Sequence, residues 1–364
     1  MELEQQSKAA SLANVWRGDQ VENRHCGHVA IADNHGRLLA WAGDPGEITF
    51  MRSTAKPIQA LPAILHHLPE HVGWGSEELA LMTASHRGEP MHIAVLEKML
   101  ATSGIAESDL GLSETLMSDE KAREALLRRD GEPRRIYHNC AGKHLGLLAL
   151  CKQLDWPLSN YMHPEHPLQQ EILRQVAAIA GMEESGIGKA KDGCGFPVFS
   201  MPIWRIALSY ARLAAPPAGW GEESQRAAVQ RVTSAMQAAP ALVEGTDRLA
   251  TTLLARQGVL AKSGAQGIFA LALSEWKLGI AIKVGDGNET VLPFIVSAIL
   301  ASLADSPLVK DRGQALTELA EAVRAEHPSA VMSDSGVPVG WIEPVVKLAY
   351  AEGPRRSGRT SWLA

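Results

Sequence analysis

Residues 266–284 read QGIFALALSEWKLGIAIKV, and this stretch decides the fold. Two apolar runs, 266–273 and 278–284, flank four residues from Ser274 to Lys277, a pattern typical of a β-hairpin. A second hairpin is predicted near the start of the chain, where residues 27–42 read GHVAIADNHGRLLAWA with a turn around Asn34-His35-Gly36. The chain therefore has a strand pair towards each end.

Helical patterns fill the chain between the two hairpins. Strands at both ends with helices between them predict an α+β fold, with an antiparallel sheet built from both termini and helices packed on it. We expect one unit over residues 1–364, with an inserted helical subregion at about 89–240. The predicted helices are 53–66, 89–101, 119–130, 141–153, 165–181, 222–238, 246–257 and a long apolar one from about Leu292.

Composition excludes several classes of function. The 364 residues are 46% hydrophobic and 21% charged, with a net charge of -6, which argues against a nucleic-acid partner. The first sixteen residues lack the pattern of a signal peptide, and the longest apolar run, 291–304, is interrupted by Pro293 and too short to span a membrane. Four cysteines in such a chain predict free thiols or metal ligands in the cytoplasm.

The sharpest chemical signal is Ser53-Thr54-Ala55-Lys56 at the start of a predicted helix. Residues three apart lie on one face of a helix, so the amine of Lys56 can reach the hydroxyl of Ser53. A serine needs a base beside it to become a nucleophile, and a buried lysine can be that base. The alternative is that Ser53 only caps the helix.

Two further serine and lysine motifs support catalysis. Ser85 follows an apolar stretch, and Lys262-Ser263-Gly264 stands immediately before a strand-like run. Serine β-lactamases and penicillin-binding proteins carry Ser-x-x-Lys, Ser-Asp-Asn and Lys-Thr-Gly in the same chain order, although this chain has Ser-His-Arg in the middle. Two neighbouring lysines would also lower each other's pKa.

Two cysteines in Gly-containing turns form the second constellation. Cys140 and Cys194 stand among polar residues, a setting that a buried structural cysteine does not favour. Two thiolates and a nitrogen ligand suit Zn²⁺, and His144 would be the ordinary choice for the nitrogen. Two free thiols are the alternative.

The whole set of motifs resembles the Rhizobium-type L-asparaginases, the asparaginase II family. The resemblance implies a fold similar to serine β-lactamases and glutaminases, a homodimer, and L-asparagine as substrate. One departure is Leu249, near which the resembling enzymes can carry a further cysteine. The matching stretches lie between about residues 21 and 300 and are 52–57, 85–88, 138–144, 192–195, 262–265 and 283–287.

The resemblance also assigns roles to individual residues. It implies catalytic pairs Ser53–Lys56 and Ser85–Lys262. It implies a zinc ion held by Cys140, Lys143 and Cys194, although lysine is an unusual ligand because it must first lose a proton. Residues on the substrate side, or supporting that side, would be Arg52, His144 and Asp192.

We therefore expect an enzyme that hydrolyses the side-chain amide of L-asparagine to aspartate and ammonia through an acyl-enzyme. The sequence does not rank asparagine against glutamine, since one methylene changes binding by only about 1–3 kcal/mol. The alternative enzyme is a β-lactamase-like or D-peptidase-like amidohydrolase that uses the same serines and lysines. The alternative from another class is a zinc-stabilised protein without catalysis.

Overall fold

The protein is described by a computed structural model that covers residues 8–309 and 312–351. Part of the N-terminal segment used to argue against a signal peptide, residues 1–7, lies outside this range. The strands in chain order are β1 (Ala10–Arg17), β2 (Gln20–Asp33), β3 (Leu38–Ala42), β4 (Ile48–Phe50), β5 (Gly188–Lys191), β6 (Pro197–Pro202), β7 (Val259–Gly264), β8 (Ile268–Leu273), β9 (Leu278–Val284), β10 (Ala330–Met332), β11 (Pro338–Pro344) and β12 (Ala349–Tyr350).

The main sheet joins the two ends of the chain. Its strand order is β10-β11-β1-β2-β9-β8-β7, with β3 beside β2 and β12 beside β3, and each pairing is antiparallel. The central contact pairs β2 with β9, where Ala30 lies opposite Ala281. The predicted α+β class, with a sheet built from both termini, is confirmed. A small sheet of β4, β6 and β5 lies apart from it.

Helices surround the sheet. Those in chain order are α1 (Lys56–Gln59), α2 (Leu61–Leu65), α3 (Leu68–Val72), α4 (Ser76–Met82), α5 (Pro90–Ser103), α6 (Glu120–Leu127), α7 (Ala141–Gln153), α8 (Pro167–Ala180), α9 (Ile203–Ala214), α10 (Glu223–Ala238), α11 (Pro240–Glu244), α12 (Leu249–Leu254), α13 (Leu292–Ala304) and α14 (Gly313–Glu326). Within the described ranges, no helix combines the length and the apolar character that crossing a bilayer requires.

The hairpin at 266–284 forms β8 and β9 as predicted. Every residue of β8 is buried, which explains why its sequence is continuously apolar rather than alternating. Helix α9 packs on β2, β8 and β9, and a side chain at Gly279 of β9 would overlap the carbonyl oxygen of Ala207. Sequence analysis did not predict α9, although Ile203, Ile206 and Tyr210 follow a helical spacing.

Two further predictions concern the helical subregion and the position of Lys262. The predicted helical subregion, 89–240, contains mainly helices but also β5 and β6, and it stays a prediction as a separate unit. Lys262-Ser263-Gly264 was expected immediately before a strand, and β8 does follow it. Lys262 itself lies inside β7, with the side chain completely buried.

Candidate active site

The Ser53 segment is a tight turn that leads into helix α1. Residues Arg52–Ala55 form a 3-10 turn, and Arg52 has a left-handed backbone with φ of 48°. Such backbone in a residue other than glycine is sparsely populated, and it concentrates at functional sites. The Tyr210 hydroxyl donates to the carbonyl of Thr54 at 2.8 Å, which fixes the turn against α9.

The amine of Lys56 is buried and points at the loop after α4. Its Nζ donates to the carbonyl of Ala84 at 2.5 Å and lies 3.1 Å from the Ser85 Oγ, with the carbonyl of Asn139 at 3.5 Å. The backbone N–H of Ser85 donates to the carbonyl of Val243 at 2.8 Å, which holds the serine in place. Lys56 therefore contacts Ser85 among neutral oxygen atoms.

Lys262 approaches the same hydroxyl from strand β7. Its Nζ lies 3.0 Å from the Ser85 Oγ, 3.0 Å from the carbonyl of Ser263 and 2.5 Å from a carboxylate oxygen of Glu244. That carboxylate oxygen also accepts hydrogen bonds from the backbone N–H and the hydroxyl of Ser263, at 2.8 and 2.6 Å. Ser85 thus lies between two lysine amines.

The expected contact between Ser53 and Lys56 differs from the observed one. Within the described part of the chain, the Ser53 hydroxyl makes no hydrogen bond, and the Lys56 amine contacts Ser85 instead. Sequence spacing predicted the Ser53 pair because both residues stand at the start of one predicted helix, 53–66, which the structure divides into the 3-10 turn, α1 and α2. It could not predict that the loop after α4 would bring a nearer hydroxyl.

Both serines line one cavity of about 250 Å³. Its wall is polar and carries cations as well as carboxylates. The residues that line it are Ser53, Ser85, His86, Arg87, Ser118, Asn139, Glu244, Arg248, Ser263, Gly264, Ala265 and Glu289. A pocket of this size and polarity suits a small polar substrate.

Burial and the charge of the partner shift the pKa of Lys262 in opposite directions, and the same holds for the pKa of Glu244. Burial is the main cause that lowers the pKa of Lys262, and the nearby Lys56 lowers it further, while Glu244 raises it. Burial raises the pKa of Glu244, but Lys262 and Ser263 outweigh burial, so this pKa lies below its ordinary value. Glu244 is therefore a carboxylate at neutral pH.

The predicted zinc ligands converge on one buried point beside the cavity. The Lys143 Nζ lies 3.4 Å from the Cys194 Sγ and 4.0 Å from the centre of the Phe196 ring. The hydrogen bond from Cys194 is the main cause that holds the pKa of Cys140 well below its usual value. The same bond, together with burial, raises the pKa of Cys194.

Two sulfurs and one amine nitrogen are donor types that zinc accepts. The Cys194 sulfur and the Lys143 amine lie within contact of each other, and Cys194 donates a hydrogen bond to Cys140. Over the described ranges, no group of three or more His, Cys, Asp or Glu side chains could hold a metal ion. Zinc at this point would therefore need the nitrogen of Lys143 besides the two sulfurs.

The residues expected on the substrate side occupy different places. Arg52 forms an ion pair with Asp192, with Nε and Nη2 at 3.0 and 2.9 Å from one carboxylate oxygen. His144 is completely buried and lies outside the cavity wall. Its Nδ1 is 2.6 Å from the Tyr161 hydroxyl, and its ring packs against the ring of Phe196. The Phe196 ring also contacts the amine of Lys143.

Glu244 and the hydroxyl of Ser263 belong to the site although no sequence motif gave either of them a role. Glu244 ends the short apolar helix α11, and a single glutamate in such a segment carries no motif. The one available signal was its position just before the Gly245 turn. His86 is completely buried at the cavity wall.

The family model described as L-asparaginase II matches residues 13–344. No curated protein sequence matches the chain.

The similar solved structures are distant. They include Mglu in its L-glutamate binding form, at 17% identity and a TM-score of 0.33, covering 73% of this chain and 57% of that one. A β-lactamase from Mycobacterium bovis has 13% identity and a TM-score of 0.33, covering 83% and 94% of the two chains. EstCE1, a hydrolase with promiscuous acyltransferase activity, has 11% identity and a TM-score of 0.33, covering 86% and 93%. This chain therefore spans little more than half of the Mglu chain.

Proposed function

The chain belongs to the L-asparaginase II family, and from that premise we propose that it hydrolyses the side-chain amide of L-asparagine to L-aspartate and ammonia. The observation that carries the proposal is the Ser85 hydroxyl, which lies 3.1 Å from Lys56 and 3.0 Å from Lys262 at the wall of a small polar cavity. Two buried amines on one hydroxyl are suited to moving a proton to and from a serine.

We assign the attack to Ser53 and the relay of its proton to Ser85. The Ser53 hydroxyl lines the cavity without a hydrogen bond to the described residues, so it is free to face a substrate. Ser85 is held between the two amines. With substrate bound, it would take the proton of Ser53 while it gives its own to Lys56. Ammonia then leaves with the proton from Lys56, and water hydrolyses the aspartyl ester by the reverse path.

A zinc ion held by Cys140, Lys143 and Cys194 is part of the proposal. When bound, such an ion supplies a positive charge that orients the α-amino or carboxylate group of the substrate. Arg52 and Asp192, an ion pair outside the lining of the cavity, would then support the substrate side, and His144 would support Lys143 through the Phe196 ring that both contact. We also propose that the protein is cytoplasmic and that it is a homodimer. Sedimentation of the purified protein would test the dimer.

The experiment that tests the activity is ammonia release from L-asparagine and L-glutamine by the purified protein. The variants Ser53→Ala and Ser85→Ala would be compared with Ser297→Ala, a buried helical serine on α13. We expect release from asparagine that both active-site substitutions abolish and the control keeps. An ester trapped by mass spectrometry on Ser53 supports the assignment, whereas an ester on Ser85 moves the nucleophile there.

Release from neither amide would contradict an asparaginase. The same preparation would then be assayed with β-lactams and D-peptides, the substrates of the alternative enzyme. Activity on those substrates that depends on Ser53 or Ser85 would replace the proposal.

A further inference from the structure

A carboxylate in the cavity wall has no part in the mechanism so far. Glu244 ends helix α11, and its side chain is 4% exposed. Its Oε1 is 2.5 Å from the Lys262 Nζ and accepts two hydrogen bonds from Ser263. A buried carboxylate with this many partners is not a solvated surface charge.

We propose that Glu244 is a positioning residue, whose carboxylate holds Lys262 as an ammonium against Ser85 and thereby leaves Lys56 as the amine that takes the proton. The proposal rests on the proposed function, since it assigns the protonation states of the same serine and lysine site. It separates two lysines that sequence motifs alone treat as equivalent bases.

Counting the protons on Lys262 is the first argument. An ammonium carries three protons, and Lys262 has three acceptors within reach, the Ser85 Oγ, the Glu244 Oε1 and the Ser263 carbonyl oxygen. Each proton therefore has one acceptor. A neutral amine would leave one of these acceptors without its proton in a fully buried site.

Lys56 also has three oxygen atoms within reach, so the count alone does not separate the two lysines, but none of its three oxygen atoms belongs to a carboxylate. Lys56 contacts two carbonyl oxygens, of Ala84 and Asn139, and the Ser85 Oγ. A neutral amine donates its two protons to the carbonyls and presents its lone pair to the hydroxyl proton of Ser85. The Ser85 oxygen then accepts a hydrogen bond from Lys262, and the Ser85 hydroxyl donates one to Lys56. Ser85 thus acts once as acceptor and once as donor.

Charge leads to the same assignment. The charged and titratable groups that act on Lys262 are Glu244, Lys56 and Cys140, and Glu244 makes the direct contact. The cavity wall adds Arg87, Arg248, His86 and Glu289. One buried carboxylate offsets the charge of one lysine, and two adjacent ammonium groups would repel each other.

The reaction step balances under this assignment. The bond between the Ser53 oxygen and the amide carbon forms as the Ser53 proton passes to Ser85 and the Ser85 proton passes to Lys56. The carbon–nitrogen bond breaks as Lys56 returns that proton to the departing ammonia. Lys262 keeps its three protons throughout and fixes the Ser85 oxygen.

The test compares Glu244→Gln with Glu244→Asp and with a matched control. Glu78→Gln is the control, because Glu78 is also a buried carboxylate, 1% exposed and 2.5 Å from Lys98, but outside the cavity wall. The measurement is the pH dependence of kcat/KM for ammonia release. Loss of the carboxylate should lower the pKa of Lys262, so the alkaline limb should move down by about 1–3 pH units.

We expect Glu244→Asp to restore much of that limb and Glu78→Gln to leave it in place. A lower rate with an unmoved profile would mean that Glu244 is only structural, and the proposal would fail. A shift confined to the acid limb would also overturn it, because Lys262 would then be the base.

A second measurement does not depend on turnover. Lysine labelled with carbon-13 at Cε reports the protonation of Lys262 by NMR, with the signal assigned through Lys262→Met. We expect an ammonium at neutral pH in the unchanged protein, and a neutral amine there would overturn the proposal even if Glu244→Gln failed to fold. An ammonium in a protein that hydrolyses no amide would support the role of Glu244 and contradict the asparaginase.

Discussion

The hydroxyl of Ser85 and the amine of Lys262 lie 3.0 Å apart, although 177 positions separate the two residues in the chain. Ser85 stands in the loop after α4, and Lys262 stands in β7. Lys56 reaches the same hydroxyl from α1 at 3.1 Å. Three distant segments therefore meet on one oxygen atom, and the arrangement has consequences that can be measured.

The two lysines should differ in their effect on stability. Lys56→Met and Lys262→Met should each lower kcat by about 10²–10⁴-fold, the usual contribution of a positioned proton-transfer group. Lys262→Met also leaves the buried carboxylate of Glu244 without its cation, which should cost about 3–5 kcal/mol of unfolding free energy. Lys56→Met removes no such partner, so its cost should be smaller.

Urea unfolding and ammonia release measured on the same samples check this difference. Lys121→Met, on the exposed surface of α6, is the control and should leave both quantities unchanged. Equal stability losses for the two active-site variants would contradict the ion pair as a source of stability.

Zinc binding should depend on two of the four cysteines. The purified protein should contain near-stoichiometric zinc, and Cys140→Ser or Cys194→Ser should lose it because each removes a thiolate ligand. Cys151→Ala is the matched control, since Cys151 is also completely buried but has its pKa raised to about 12 by burial. Metal analysis and thermal unfolding with and without a chelator would be compared.

If the chelator removes zinc and leaves the fold intact, the metal serves the substrate site. If it unfolds the protein, the non-catalytic reading of a zinc-stabilised protein gains support. If zinc stays bound in both Cys140→Ser and Cys194→Ser, the metal does not bind at this site.

His86 should make the fold sensitive to mild acid. Its ring is completely buried beside that of His92, with centroids 5.4 Å apart, and over the described ranges neither of its nitrogens has a partner. Burial holds the pKa of His86 well below 6.5, and the neighbouring His92 lowers it further. Between that lowered pKa and 6.5, the His86 imidazole binds a proton in the unfolded chain but not in the folded chain.

Stability should therefore fall as the pH drops below about 6.5, by up to about 1.4 kcal/mol per pH unit for this group. His86→Gln should flatten that slope, whereas His163→Gln, at an exposed position, should not. Denaturant midpoints measured between pH 5 and 7 decide between the outcomes, with an unchanged slope in His86→Gln counting against the buried imidazole. His144 keeps part of the slope, because burial also lowers its pKa.

The packing of α9 on the sheet can be tested at a glycine. Gly279→Ala places a Cβ against the backbone of Ala207 and must push α9 away from β9. Overpacking of this kind costs about 1–3 kcal/mol or more, so we expect a clearly lower midpoint of thermal unfolding. Gly193→Ala, where a Cβ would meet nothing within 4 Å, should unfold near the temperature of the unchanged protein.

The sequence by itself determined the local elements and the fold class. The hairpin at 266–284 and the helices around 89–101, 141–153 and 222–238 formed where hydrophobic periodicity predicted them, because burial of one face or one run is written in neighbouring residues. Helix α9 and strand β1 were missed, although α9 has a readable helical spacing. Motifs in chain order also singled out Ser53, Lys56, Ser85 and Lys262, whose catalytic roles stay a prediction.

Only the tertiary structure decided which groups contact one another. Sequence spacing pairs Ser53 with Lys56 because both stand at the start of one predicted helix, yet Lys56 contacts Ser85 from a distant segment. Glu244 carries no motif and enters the site because α11 ends beside β7. Local pattern is set by neighbours along the chain, whereas the partner of a buried charge is set by how distant segments pack.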